Sequence, residues 1–271
     1  MSYNTRMSFI RHYLLAIQFF TRIPVTGRLA AWVGYSPAML RESAAHFPGI
    51  GWLVGAVAAL GYAAVLLLLP DVAATPLVAA ALSTVLTVLL TGAFHEDGLS
   101  DVADGLGGAY ERERALDIMK DSRVGAFGVL ALVLALLSKV SLLTLLGEVD
   151  LELACAGLFV AHVVSRFLPL LLIRLLPHVG DTARSKSKPL AEQISGASLL
   201  VASVWLLAAL ALVFWFYPDV NWLVPVLTAV LAWLWMWRLF SRRLQGFTGD
   251  CLGATQQVCE LAFYFGLALT L

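Results

Sequence analysis

Six apolar stretches, each close to the length a helix needs to cross a lipid bilayer, set the terms for this chain: 50–69, 76–94, 125–147, 152–177, 197–217 and 222–240. A span takes about 20 helical residues. In lipid every backbone N–H and C=O must be satisfied within its own segment, so these stretches are expected to be helices. The expected fold is an all-α polytopic membrane protein, a bundle of six to seven transmembrane helices in one domain covering 1–271. A seventh span is expected over 251–271, although Gln256, Gln257 and Glu260 keep its first half polar. Composition agrees, with 13% charged residues against about a quarter in an ordinary soluble domain. No repeat of fixed period and no separating linker is visible.

Residues Met1 to Phe20 carry Arg6, Arg11 and His12 among Phe9, Ile10, Tyr13, Leu14, Ile17 and Phe20. That helical spacing suits an amphipathic helix lying in the membrane interface, and the stretch lacks the long apolar core of a signal peptide. Cys155, Cys251 and Cys259 have no metal-ligand partners nearby and read as small apolar residues. A formal net charge of zero argues against a nucleic-acid partner, but it hides an asymmetry. The turns 70–76, 148–151 and 218–222 hold no Lys or Arg, whereas Arg22, Arg28, Arg41, Arg112, Arg114, Lys120, Arg123, Arg184, Lys186, Lys188, Arg242 and Arg243 all fall in the other connections. By the positive-inside rule those connections are cytoplasmic, which predicts a multi-pass protein of the cytoplasmic (inner) membrane with its polar face in the cytoplasm.

The most informative polar segment is 95–105, His95-Glu96-Asp97-Gly98-Leu99-Ser100-Asp101-Val102-Ala103-Asp104-Gly105, directly after an apolar run. On a helix Asp97, Asp101 and Asp104 fall at i, i+4 and i+7 and share a face. Such carboxylates repel unless a cation lies between them. Oxygen ligands without Cys favour a hard ion, Mg²⁺, whose shell is usually completed by substrate phosphates. The metal ligands expected are Glu96, Asp97, Asp101 and Asp104. An acidic helix start that complements the helix dipole is the alternative.

Two further polar segments fall on the same face. Lys120-Asp121-Ser122-Arg123-Val124-Gly125 offers cations for phosphate oxygens, a carboxylate and a glycine before a helix N-terminus. Thr248-Gly249-Asp250 follows the sixth span and offers close backbone approach and another acceptor. Each of these also fits an ordinary loop with a helix cap. Inside the spans, Lys139, His162 and Arg166 are costly, on the order of 3 kcal/mol each, and are expected to face the interior. His162 and Arg166, one turn apart, are candidates for pairing with carboxylates or for reaching an anionic substrate. No Ser-His-Asp set and no Walker-type loop is present.

Phe19-Phe20-Thr21-Arg22-Ile23-Pro24, Phe47-Pro48-Gly49-Ile50-Gly51, the 95–105 motif, Asp121-Ser122-Arg123-Val124-Gly125 and Gly246-Phe247-Thr248-Gly249-Asp250, in this order, resemble the cobalamin synthase family, the adenosylcobinamide-GDP ribazoletransferases. The resemblance covers nearly the whole chain; Ser100 stands where the family often has Ala. It implies a phosphotransferase that joins the corrinoid nucleotide adenosylcobinamide-GDP to α-ribazole, or its 5′-phosphate, and releases GMP. The expected catalytic residues are His95 as general base, Asp97, Asp101 and Asp104 on Mg²⁺, and Arg123 on the pyrophosphate. The expected substrate-binding residues are Lys120, Asp121, Ser122, Gly125, Arg166, Thr248, Gly249 and Asp250. The lipid bilayer is a partner, and a homo-oligomer is compatible with such a bundle. Two competing readings are a CDP-alcohol phosphotransferase, whose D-G-x-x-A-R pattern is not matched after Asp97-Gly98, and an ion-coupled transporter, whose carboxylates belong nearer the bilayer midplane.

Overall fold

The computed structural model describes residues 3–180 and 193–271; Arg184, Lys186 and Lys188 lie outside them. The chain forms twelve described α-helices and no strand among the described residues. They are α1 (Tyr3–Phe20), α2 (Gly27–Val33), α3 (Pro37–Ser43), α4 (Phe47–Leu68), α5 (Thr75–Thr91), α6 (Phe94–Gly108), α7 (Arg112–Met119), α8 (Ala126–Val149), α9 (Leu151–Leu175), α10 (Gly196–Phe216), α11 (Leu223–Arg243) and α12 (Gly249–Ala268). Five segments are long and apolar enough to cross a membrane: Pro37–Leu68, which includes α3 and α4, and α8, α9, α10 and α11. The protein is therefore a multi-pass membrane protein.

The expected span 76–94 falls on helix α5, and only its end is corrected. Helix α5 stops at Thr91, and Gly92 and Ala93 follow with φ of 68° and 58°. Two successive left-handed residues cannot continue a right-handed helix, and α6 departs at 91° to α5. α6 therefore lies across the end of the bundle rather than running through it. The stretch expected as a seventh span is a continuous 20-residue helix, α12. It is long enough to span but is not among the helices apolar enough on its own. Its polar residues Thr255, Gln256, Gln257 and Glu260 are buried against other helices. Polar residues are tolerated there because protein, not lipid, surrounds them.

Helix boundaries follow local chemistry. Asp150 caps α9 by accepting from Glu152 N at 2.7 Å and Leu153 N at 3.1 Å, and Ser195 caps α10 by accepting from Ser198 N at 3.0 Å. Pro48 and Pro76 sit in the first turns of α4 and α5, where a missing N–H costs nothing. The innermost helix is α9, with 78% of its apolar stretch buried, against 17% for α8 and α10, which face outward. It packs most extensively on α4, where small residues permit close approach. A Cβ on Gly51 would fall 2.7 Å from Val163 Cα, and one on Gly55 2.7 Å from the Phe159 carbonyl oxygen.

The N-terminal helix α1 packs on α3 and α4, and the chain leaving it is tied to the end of α5 by Arg22 N donating to the Leu90 carbonyl at 2.7 Å. At the far end of α6, Arg243 Nη2 donates to the Ala109 carbonyl at 2.6 Å and Arg112 Nε to the Leu244 carbonyl at 2.6 Å. These bonds fix the chain on either side of α6, at the end of α5 and at the end of α11.

Candidate active site at the end of the bundle

Helix α6 brings its carboxylates to three different depths. Asp97 is exposed and Asp101 half-buried, and both are on the open side. Asp250, in the first turn of α12, stands close by: a Cβ on Gly98 would fall 2.8 Å from the Asp250 carbonyl oxygen. Gly253 likewise lies within contact of His95, so glycines on both helices let α6 and α12 approach backbone to backbone. The Asp101 carboxyl is pushed up to about 7, first by burial and then by the negative charges of Asp250, Asp97 and Asp104. This is the mark of surplus negative charge at one place.

Asp104 does something else. Its Oδ2 accepts from Gly125 N at 2.7 Å and its Oδ1 from Gly128 N at 2.8 Å. A carboxylate borrowed from α6 thus caps the N-terminus of α8, and neither glycine has room for a Cβ, which would collide with Asp104. Gly125, expected to meet substrate through its N–H, spends that N–H on Asp104. Ser100 Oγ, on the same side, is buried with no partner.

Glu96 turns inward, and it is the outer end of a buried polar chain. Its Oε1 accepts from Gln257 Nε2 at 3.2 Å; Gln257 Nε2 also donates to Gln256 Oε1 at 2.9 Å. Gln256 Nε2 donates to Ser165 Oγ at 3.0 Å and Glu260 Oε2 at 2.6 Å. Glu260 is the hub, with Lys139 Nζ at 2.7 Å, Tyr264 OH donating at 3.0 Å and His162 Nδ1 at 3.3 Å. Arg166 Nη1 lies 2.9 Å from His162 Nδ1 and donates to the His162 carbonyl at 3.1 Å, and its guanidinium lies over the Phe47 ring at 5.8 Å. Lys139, His162 and Arg166 face the interior as expected, each at most 3% exposed. Arg166, a candidate for substrate, is held with this cluster rather than at the open face. Sequence reading noted Glu260 only as a polar interruption; Gln256, Glu260 and Tyr264 at i, i+4 and i+8 were the available sign of one polar stripe.

The loop between α7 and α8 is arranged locally. Arg123 forks onto Asp121, with Nε 3.0 Å from Oδ1 and Nη2 2.5 Å from Oδ2, and this bond holds the Asp121 carboxyl at about 2. Lys120 lies 3.9 Å from Asp117, and Ser122 is exposed. Thr248 caps α12, its Oγ1 accepting from Cys251 N at 3.4 Å and donating to Asp250 Oδ2 at 3.2 Å. Phe247 N donates to the Pro177 carbonyl at 3.0 Å, and Val179 N to the Phe247 carbonyl at 2.9 Å. These anchor the chain after α9 beside Gly249 and Asp250. His95 is 1% exposed, stacked on Phe47 at 15° and 5.7 Å, with Nε2 unpartnered.

No three His, Cys, Asp or Glu side chains among the described residues form a preassembled metal cage. Mg²⁺ does not require one. It is commonly held by one or two carboxylates with waters and substrate phosphates, and the charge surplus around Asp101 is one that a divalent cation relieves. The donor set at the open face, Asp97, Asp101 and Asp250, fits such an ion. Asp104 and Glu96 are engaged elsewhere with the protein.

Comparison with known proteins gives one consistent result. The family model described as cobalamin-5-phosphate synthase (CobS) matches residues 12–268. An adenosylcobinamide-GDP ribazoletransferase of Polaromonas naphthalenivorans is 64% identical over 98% of this chain and all of its own length. The protein of that name from Albidiferax ferrireducens is 66% identical over 97% and 99%, and that from Vibrio cholerae 43% over 93% and 91%. No solved structure matches. With its acidic helix laid across the end of a polytopic bundle and a family match over almost its whole length, the chain belongs to the cobalamin-5-phosphate synthase family.

Proposed function

We propose that this chain joins the nucleotide loop in cobalamin synthesis, transferring the adenosylcobinamide-phosphate group of adenosylcobinamide-GDP to α-ribazole, or to its 5′-phosphate, with release of GMP. The end-to-end similarity to ribazoletransferases carries this reading, and it displaces the CDP-alcohol and transporter alternatives. A ribose hydroxyl attacks the phosphorus nearer the corrinoid. The new P–O bond forms as the bond to the bridging oxygen of the pyrophosphate breaks, and GMP carries away that electron pair.

Asp97, Asp101 and Asp250 would hold Mg²⁺ together with the pyrophosphate. Bound there, Mg²⁺ supplies neutralisation of the charge that grows on the leaving phosphate. The hydroxyl proton goes to a carboxylate of the same cluster, since His95 stacks on Phe47 and lines the neighbouring cavity instead of the acidic face. Asp104 is a positioning residue that fixes the start of α8 and so the Arg123 loop beside the pyrophosphate. Lys120 and Arg123 meet phosphate oxygens from that loop, Arg123 by exchanging Asp121 for substrate. Thr248 orients Asp250. The α6 end faces the cytoplasm of the inner membrane, supported by the Lys and Arg residues of the connections at that end and their absence from the opposite turns.

The test is GMP release by the purified protein from adenosylcobinamide-GDP and α-ribazole, with Mg²⁺ and with chelator. Asp101→Asn is expected to abolish release while leaving the protein folded. Release of GMP at a near-normal rate by this variant would refute the acidic site.

A further inference from the structure

Beside the carboxylates lies a cavity that the proposed chemistry does not use. Its walls are aromatic: Phe20 stacks on Phe47 at 4.3 Å and 22°, Phe47 stacks on His95, and Phe94 stands edge-on to His95 at 5.5 Å and 88°. Phe19 meets Phe94 edge-on at 5.8 Å, and α12 closes the other side with Gly249 and Leu252. The cavity is narrow. Its volume is about 20 Å³. Such a slot suits a flat ring better than a bulky group.

Its position matters as much as its shape. His95 precedes Glu96 and Asp97 in the chain, and Gly249 precedes Asp250, so the slot and the acidic face share the same two helix starts. A ring held in the slot would place whatever is attached to it at the carboxylates. The accessible lining is apolar, and the buried His95 Nε2 in its wall has no partner in the protein.

We infer that this aromatic slot is the binding site for the flat base of ribazole, seated among Phe20, Phe47, Phe94 and His95 with its ribose directed at Asp97, Asp101 and Asp250. The inference rests on the proposed function and adds the subsite for one of its substrates. Three flat nitrogenous bases take part in that reaction, and the adenine of the adenosyl group shares with guanine a polar edge that the apolar lining leaves unpaired. Guanine has several donors and acceptors along its edge, each costly to bury unpaired, and the slot offers them almost nothing. The benzimidazole of ribazole has a carbon edge and one unsubstituted ring nitrogen, for which the unpartnered His95 nitrogen is a counterpart. Stacking on aromatic side chains supplies the affinity.

Phe94, at the rim and 40% exposed, is the residue to change. Steady-state kinetics of the full chain in detergent, with each substrate varied in turn, would compare wild type with Phe94→Ala and Phe94→Tyr. Base–aromatic stacking contributes about 1–3 kcal/mol, so Phe94→Ala is expected to raise the KM for α-ribazole about tenfold, with the KM for adenosylcobinamide-GDP unchanged and Phe94→Tyr near wild type. A KM increase for adenosylcobinamide-GDP instead would place guanine or adenine in the slot and overturn the inference, as would no change in either. Leu252→Trp, which fills the slot from α12, is expected to abolish α-ribazole binding measured calorimetrically without turnover; normal binding by a folded variant would overturn it too. Absence of GMP release by the wild-type protein would instead refute the proposed function.

Discussion

Glu260 and Lys139 form an ion pair at 2.7 Å, 2% and 4% exposed at their side chains, inside a bundle surrounded by lipid. Removing one partner of such a pair leaves an uncompensated charge and costs about 3–5 kcal/mol. The contacts rank the two single variants. Lys139→Met leaves Glu260 with Gln256, Tyr264 and His162 still in place, so about 3 kcal/mol is expected. Glu260→Gln strands the Lys139 ammonium and disturbs all four contacts of the hub, so about 5 kcal/mol is expected. In the double variant both charges are gone, and the cost should fall below that of Glu260→Gln alone, giving a coupling of at least about 3 kcal/mol. At roughly 2–4 °C per kcal/mol for a chain of this size, Glu260→Gln should melt about 10–20 °C below wild type. Thermal unfolding followed by a fluorogenic maleimide is the natural assay, because Cys251 and Cys259 are fully buried and react only when the bundle opens. Single variants that each cost under about 1 kcal/mol and simply add would refute the argument that this pair is a closed, charged contact.

Three further outcomes are expected. Gly51→Leu and Gly55→Leu should each destabilise by about 1–3 kcal/mol or more, because the new atoms meet backbone of α9; an unchanged melting temperature would show that α4 and α9 are not so close. Asp104→Ala removes the acceptor of two backbone amides and should cost about 1–2 kcal/mol, with hydrogen exchange rising at Gly125 and Gly128 first; exchange unchanged there would exclude the cap. Asp101, with its carboxyl near 7, keeps its proton below that pH and must lose it to bind a cation. Mg²⁺ affinity should therefore rise between about pH 6 and 8 with proton release, and Asp250→Asn, which removes the largest neighbouring charge, should move that rise to lower pH. Calorimetry in buffers of different ionisation enthalpy would detect the released proton, and a pH-independent affinity would contradict the assignment.

Much of this was legible from residue order alone. The lengths of the apolar runs located the spanning helices, and the i, i+4, i+7 spacing put Asp97, Asp101 and Asp104 on one helix. The cost of a charge in lipid pointed Lys139, His162 and Arg166 inward. What escaped depended on contacts distant in the chain or on backbone geometry. One glycine before Ala93 does not announce two left-handed residues in succession, so the run 76–94 read as continuing past the end of α5 at Thr91. Asp104 looks like a third metal ligand until α8 folds against it and Gly125 and Gly128 take both its oxygens. Asp250 joins Asp101 only because glycines let α12 and α6 touch. Asp121 and Arg123, read as separate contacts to substrate, are close enough in sequence to satisfy each other.

The right angle at Gly92 and Ala93 determines how the chemistry can be approached. Had α6 continued straight, its carboxylates would have pointed into a shaft among parallel helices, open to a ligand only head-on. Turned sideways, the helix offers a flank, a workbench edge rather than a well. Two large molecules can then lie against it from opposite ends, with only the bonds being exchanged brought together in the middle. For a reaction that ties one bulky piece to another, this removes the need for either to thread past the other.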